Sequence, residues 1–332
     1  MERRNFLLTS ALGAAHAAEG RIRAALYGTR HSHARGKLKA MLDNPDFEVV
    51  GVCEPDEAAW KKAVDMHQHR RLKEDEMLGD ASIQVVAVET EVWNAMECGR
   101  KVVAAGKHLH LEKPPTHEMA PFRALIEEAR RKKLLVQLGY IWRFHEGVSR
   151  AIEAAKSGVL GKVHLMRGAI HTDLRPEART ALARYKGGMM FELGCHQIDR
   201  MVDLFGRPKS VKSWLQNGAG GLADNTMAVF EYDSALAVIT TSAKMAGSSQ
   251  HRSFEVIGTE GSMILQPVEP GTKMRIYDKG WKEIEMPPQP RYVGDFRDLA
   301  RAVKTNTPLK YSYDFELLVQ ETVLRASGEM SS

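Results

Sequence analysis

A chain of 332 residues, 43% hydrophobic and 27% charged, is long enough to bury two cores and too apolar to be disordered or fibrous. Its formal net charge of +5 comes from Lys and Arg scattered among nearly as many Asp and Glu, with no basic patch interleaved with aromatics, which excludes nucleic acid as the expected partner. Three widely spaced cysteines, Cys53, Cys98 and Cys195, give neither a disulfide framework nor a zinc-ligand spacing, and no apolar run is long enough to span a membrane.

Residues 1–18 stand apart. "ERRNFLLTSALGAAHAA" sets Arg3-Arg4 before a short apolar run and the small-x-small triplet Ala15-His16-Ala17, the form of a twin-arginine signal with a cleavage site. This predicts a periplasmic or secreted protein exported already folded. An ordinary amphipathic N-terminal helix, and with it a cytoplasmic protein, is the alternative reading.

From residue 19 to about 142 the chain alternates. IRAALYG, FEVVGVCE, IQVVAVE and HLHLE are short apolar runs, each followed by a stretch with helical spacing (33–43, 56–68, 91–105 and 117–132). Strand-helix alternation predicts a doubly wound parallel sheet of the nucleotide-binding type. Over 143–332 the pattern changes to strands joined by short turns, KVHLMRGAIH, SVKSWLQN, TMAVFEYD, ALAVITTSA, RSFEVIG and GSMILQP, which predicts a mostly antiparallel α+β domain for the substrate.

The first strand ends in "GTRHSHARG". A dinucleotide fingerprint needs glycines for the tight turn, for close approach of the pyrophosphate and for helix packing, and here only Gly28 survives, with Arg30 and His33 at the other two places. Glu54, at the end of the next strand, is correctly spaced to accept hydrogen bonds from an adenosine ribose and would repel a 2'-phosphate, so NAD is expected over NADP. A helix N-terminal carboxylate before Pro55 is the plainer reading of the same residue. Gly28, Thr29, Arg30, His31, Glu54, Thr90, Glu112 and Lys113 are the candidate cofactor contacts. His31 and His33, like His67 and His69, are two apart with no cysteine or carboxylate at useful spacing, so no metal is expected.

"LEKPPTH", residues 111–117, ends a buried strand on Glu112-Lys113 at the carboxyl edge of the sheet, where ligands of open α/β sheets bind. Pro114 and Pro115 keep Lys113 out of any helix. A lysine desolvated beside a nicotinamide ring is expected to have a lowered pKa suited to proton transfer. In "GGMMFELGCHQIDRMVDLFG", residues 187–206, a helix apolar over most of its circumference carries Glu192, His196, Asp199 and Asp203 at steps of four, three and four, which predicts one polar stripe facing the crevice.

Together, Glu112-Lys113-Pro114, the Gly-Gly helix with Glu192 and His196, and the "GVLGKV" turn resemble the Gfo/Idh/MocA oxidoreductases, the glucose-fructose oxidoreductase and inositol dehydrogenase family, over residues 20–330. The resemblance implies an NAD(P)-dependent enzyme acting on a hydroxyl of a sugar, cyclitol or related polyol, and an oligomer built on the C-terminal sheet. It implies that Lys113 touches nicotinamide ribose and substrate, that Glu192 stands at the usual aspartate position, that His196 is the catalytic base, and that Tyr140 and Arg143 of "GYIWRF" line the substrate pocket with Asp199. "VETEVWN" departs from the family's Thr-Pro-Asn. An NAD-dependent glycosidase or lyase that recycles its cofactor internally, and a non-catalytic sugar-binding homologue, are the alternative readings.

Overall fold

The computed structural model describes residues 20–330; the expected export signal at 1–18 lies outside them. The first sheet is formed by β1 (Ile22–Tyr27), β2 (Phe47–Cys53), β3 (Arg71–Leu72), β4 (Val85–Val88), β5 (His108–Leu111) and β6 (Val136–Leu138). All neighbours pair in parallel, in the order β3-β2-β1-β4-β5-β6. β1 and β4 are almost wholly buried because helices cover both faces, which is why their sequences run apolar without alternation. The covering helices are α1 (Ala34–Leu42), α2 (Glu57–Lys62), α3 (Glu74–Gly79), α4 (Val92–Ala104) and α5 (Met119–Lys132). Strand order reverses between β1 and β4, so the crevice for a ligand opens at their carboxyl ends, after Tyr27 and Val88.

After α6 (Glu146–Lys156) the chain builds an eight-stranded sheet from β7 (Val163–His171), β8 (Ser210–Asn217), β9 (Ala223–Glu231), β10 (Leu236–Ser242), β11 (Ser253–Gly258), β12 (Ser262–Leu265), β13 (Thr272–Tyr277) and β14 (Trp281–Met286). Every pairing in it is antiparallel except β7 with β10. The fold class expected from the sequence is thus the one observed. β13 and β14 escaped the sequence reading, as did β3 and β6; two- and three-residue strands carry no usable period, and β14 is exposed along most of its length.

Residues 187–206 are not one regular helix. A short α7 (Pro176–Leu182) precedes a π-helical turn, Met190–Gly194, which runs into α8 (Cys195–Phe205). Beyond β14, α9 (Val293–Thr305) and α10 (Tyr313–Ala326) return to the first sheet. Phe296 of α9 packs edge-on against Phe47 at 5.9 Å and beside His110 at 4.8 Å, and the Gln137 side chain donates to the Asp295 carbonyl. The expected boundary at 142–143 therefore describes the sheets but not the helices that cover them. Phe296 is fully buried, and truncating such a ring costs about 3–5 kcal/mol, so this return anchors α9 on the first sheet.

Candidate active site

The turn after β1 is as tight as the sequence implies. Gly28 has φ +93°, and a Cβ there would meet Thr90 Cγ2 at 2.6 Å and the Thr90 nitrogen at 2.9 Å, so Thr90, after β4, closes against the turn. Glu54, after β2, is turned into the same turn. Its Oε2 accepts from the Thr29 N–H and hydroxyl, both at 2.9 Å, and its Oε1 from the Asp56 N–H at 3.0 Å. Arg30 reaches sideways to ion-pair with Glu91 and with Asp56, the latter at 2.7 Å, bridging the strand ends on either side of β1.

These residues border a cleft of about 530 Å³ lined by Thr29, Arg30, His31 and Ser32 on one side and Ala58, Ala59 and Lys62 of α2 on the other. α1 begins at this cleft with no side-chain cap and no acidic residue in its first turn. Its orphan N–H groups and positive end are left for an anion, which fits a dinucleotide's phosphates even with two glycines missing. Another cleft, of about 500 Å³ around His108, Leu134 and Tyr313, lies at the opposite ends of β5 and β6, away from this chemistry.

At the end of β5, Lys113 is 1% exposed, and its Nζ donates to the Glu192 carbonyl at 2.9 Å and to Glu192 Oε1 at 3.1 Å. The first sheet thus meets the π-helical turn of the second domain through one ammonium. Burial pulls the Lys113 pKa down, but the surrounding charges, Glu192 foremost, outweigh it and hold the group above the usual ammonium range. The expected lowered pKa is corrected: Lys113 is a fixed positive charge and not a proton donor near neutrality.

His196, 2% exposed, lies one turn beyond Glu192, with the ring of Tyr140 edge-on at 6.0 Å and that of Trp142 at 6.3 Å. Burial, reinforced by the Lys113 charge, holds its pKa well below the ordinary imidazole value. The ring is neutral at pH 7 and able to accept a proton. Its Nδ1, the Tyr140 hydroxyl and Glu192 Oε2 are buried without hydrogen-bond partners.

The lower half of the expected stripe does something else. Asp199 accepts from Arg143 Nε and Nη2 at 3.0 and 2.6 Å and from Arg200 Nε at 2.7 Å, while Asp203 pairs with Lys156 and Arg200. Arg143 also binds both oxygens of Glu316 in α10, and its guanidinium lies over the rings of Tyr140 and Tyr311 at 4.7 and 4.5 Å. Arg143 and Asp199, expected at the substrate, are instead a sealed structural cluster in which each guanidinium nitrogen already donates to a carboxylate. The π-helical turn advances the phase between Glu192 and the residues after it, so integer spacing along an ideal helix could not show this split.

Sequence reasoning missed Lys37 and Glu89. Lys37, on α1, is fully buried; its Nζ bonds Glu89 Oε1 at 2.6 Å and Glu112 Oε2. Gly139 makes room, since a Cβ there would come within 2.5 Å of that ammonium. His33 Nδ1 is 3.1 Å from Glu112 Oε2, and His31 Nδ1 is 3.7 Å from both Glu112 Oε2 and Glu89 Oε2. Burial lowers the pKa of both histidines, that of His31 to about 3. Burial pushes the Glu89 carboxyl up to about 8. A lysine at helical spacing within an amphipathic segment reads as a solvated charge, and only the fold reveals otherwise.

Residues 22–140 match the model of the oxidoreductase family with an NAD-binding Rossmann fold, and residues 148–264 match that of the GFO/IDH/MocA C-terminal domain. The chain belongs to the Gfo/Idh/MocA oxidoreductases. Among Gfo/Idh/MocA relatives, it is 30% identical over 258 residues to the uncharacterized oxidoreductase YhhX of Escherichia coli (strain K12), covering 75% of this chain and 72% of that one. It is 24% identical over 213 residues to myo-inositol 2-dehydrogenase of Thermotoga maritima, covering 62% of this chain and 63% of that enzyme. The fold superposes with a TM-score of 0.79 on UDP-N-acetylglucosamine 3-dehydrogenase from Acidithiobacillus ferrooxidans, at 17% identity over 93% of this chain and 98% of the other.

Proposed function

We propose that this Gfo/Idh/MocA protein is an NAD-dependent dehydrogenase that oxidises a secondary hydroxyl of a sugar, cyclitol or related polyol. The observation that carries the reading is the neutral, buried His196 beside the permanently charged Lys113 at the carboxyl edge of the parallel sheet. His196 takes the hydroxyl proton, and Lys113 stabilises the developing alkoxide. Tyr140 stays protonated, because burial raises its pKa, and offers its unpaired hydroxyl to the substrate. Bound nicotinamide supplies the hydride acceptor. Thr29, Arg30 and the α1 N-terminus would hold its phosphates, and Glu54, already bonded to Thr29, its adenosine ribose. A 2'-phosphate would face that carboxylate, which is why NAD is preferred.

Lys113 and His196 are closed off in this conformation, and the Arg184 guanidinium, 3.6 Å above the Trp93 ring, ties the segment after α7 to the start of α4. Self-association is assigned to the open face of the second sheet, where Trp214, Leu236, Tyr277 and Trp281 stand exposed; sedimentation of a Trp214→Lys, Trp281→Lys variant checks it. Export through Arg3-Arg4 is checked by secretion of a fused reporter with and without Arg3→Lys, Arg4→Lys.

The deciding experiment is a single-turnover screen of polyols and glycosides with NAD, followed by nicotinamide absorbance. A dehydrogenase accumulates NADH, and Lys113→Ala and His196→Ala each slow it by about a hundredfold or more. Undiminished turnover in His196→Ala would remove the base. Solvent deuterium entering a substrate C–H without net NADH would favour the recycled-cofactor glycosidase.

A further inference from the structure

We propose that His31, His33 and Glu112 form a binding site for a divalent first-row transition ion, with Glu89 as a fourth ligand. Ligand atoms of the first three lie within 4.8 Å of one another. Donors around a tetrahedral ion with bonds of about 2.0–2.1 Å are about 3.4 Å apart. The Nδ1 atoms of His33 and His31, at 3.1 and 3.7 Å from Glu112 Oε2, bracket that spacing, and Glu89 Oε2 is 3.7 Å from His31 Nδ1. The His33 N–H donates to His31 Nδ1 at 3.2 Å, which selects the tautomer with its lone pair on Nδ1, the form a metal requires. An ion would compete for that lone pair with a long, weak contact.

A second, independent observation points to a missing cation. Glu89 Oε2 and Glu112 Oε1, on side chains with no solvent exposure, have no hydrogen-bond partner. The Lys37 ammonium meets Glu89 Oε1 and Glu112 Oε2, so the other oxygen of each carboxyl is left to take an ion, which would displace any proton held there. Two imidazoles with carboxylate oxygen suit zinc, cobalt, iron or nickel better than the oxygen-seeking magnesium or calcium. The His31 and His33 side chains keep 11% and 15% exposure, and His31 lines the cleft beside α1, so a coordination position is left for water or an anionic oxygen. The histidines stand in the very turn that has lost two of its three glycines. Their third ligand comes from β5, about eighty positions along the chain, which is why sequence spacing argued against a metal.

The test uses the full chain without a histidine tag, freed of metal by chelator and titrated with Co²⁺ and Zn²⁺ by calorimetry and by the cobalt visible spectrum. One saturable equivalent is expected, with tetrahedral or five-coordinate cobalt bands. His31→Gln, His33→Gln and Glu112→Gln should each weaken binding at least tenfold, whereas His67→Ala with His69→Ala leaves it unchanged. Circular dichroism confirms that each variant is folded; should Glu112→Gln unfold, the two histidine variants and Glu89→Gln decide. Absence of saturable binding, or binding unaltered in both His31→Gln and His33→Gln, overturns the proposal. Turnover is not among the readouts, so failure here leaves the dehydrogenase reading standing, and the reverse holds as well.

Discussion

Two buried ionic clusters lie on either side of the domain junction and behave as opposites. Around Arg143, every guanidinium nitrogen donates to Asp199 or Glu316, three aromatic rings enclose the cation, and all three charged groups are sealed from water. Around Lys37, two carboxylates share one ammonium, an oxygen of each is left unpaired, and two neutral histidines line the route to the cleft. A saturated cluster has nothing left with which to bind and so contributes rigidity. An unsaturated one retains the capacity to take a proton, an ion or a ligand.

The largest effect should come from breaking the saturated cluster. Arg143→Met leaves Glu316 buried without a counter-charge and Asp199 with Arg200 alone, and denaturant unfolding should show a loss of about 3–5 kcal/mol. A loss below about 1 kcal/mol would mean that solvent reaches the cluster and that the contrast is false.

Titration should expose the other cluster. His110, held near 3 by burial, and His196, also depressed, are neutral in the fold and gain a proton on unfolding. Their contribution is complete above the unfolded pKa of about 6.5 and is lost as pH falls toward 3, at up to about 1.4 kcal/mol per pH unit for each group. Burial raises Glu89 to about 8 and Asp295 to about 7, so their contribution is present below the unfolded carboxyl range and lost as pH rises through 7 and 8. Between about pH 4 and 6.5 the two pairs offset each other, so the thermal resistance of metal-free protein should be level there and fall above it, and Glu89→Gln should flatten the alkaline side. An alkaline limb unchanged in that variant would remove Glu89 from the account.

Smaller still is the cofactor preference. NAD(H) should bind at least tenfold more tightly than NADP(H), about 1.4 kcal/mol, and Glu54→Gln should narrow the ratio. Equal affinities in the parent protein would show that Glu54 only braces the turn through Thr29. The smallest effect sharpens the comparison from its other end. His31→Gln and His33→Gln should alter stability by no more than about 1 kcal/mol, because neither side chain closes a saturated network. Losses as large as that of Arg143→Met would make the two clusters alike.

The sequence alone determined the parts that local chemistry dictates. Buried parallel strands need unbroken apolar runs, so β1, β2, β4 and β5 were legible, as were the change to an antiparallel sheet after Arg143, the turn at Gly28 and the strand-end Lys113. The contact between Lys113 and Glu192 was not legible, since it joins the two domains. Tertiary structure decided what each charge does. Whether Asp199 faces substrate or Arg143 depended on a π-helical turn that no fixed period describes. Whether Lys113 is acidic or permanently charged depended on which carboxylate lies within reach. Lys37 lies in a stretch, 33–43, that the sequence marks only as helical, and the fold set it between two strand ends. Backbone geometry is encoded over a few neighbouring residues, but a charge's protonation and partners are set by groups tens of positions away, and only the closed fold brings them to within 4 Å.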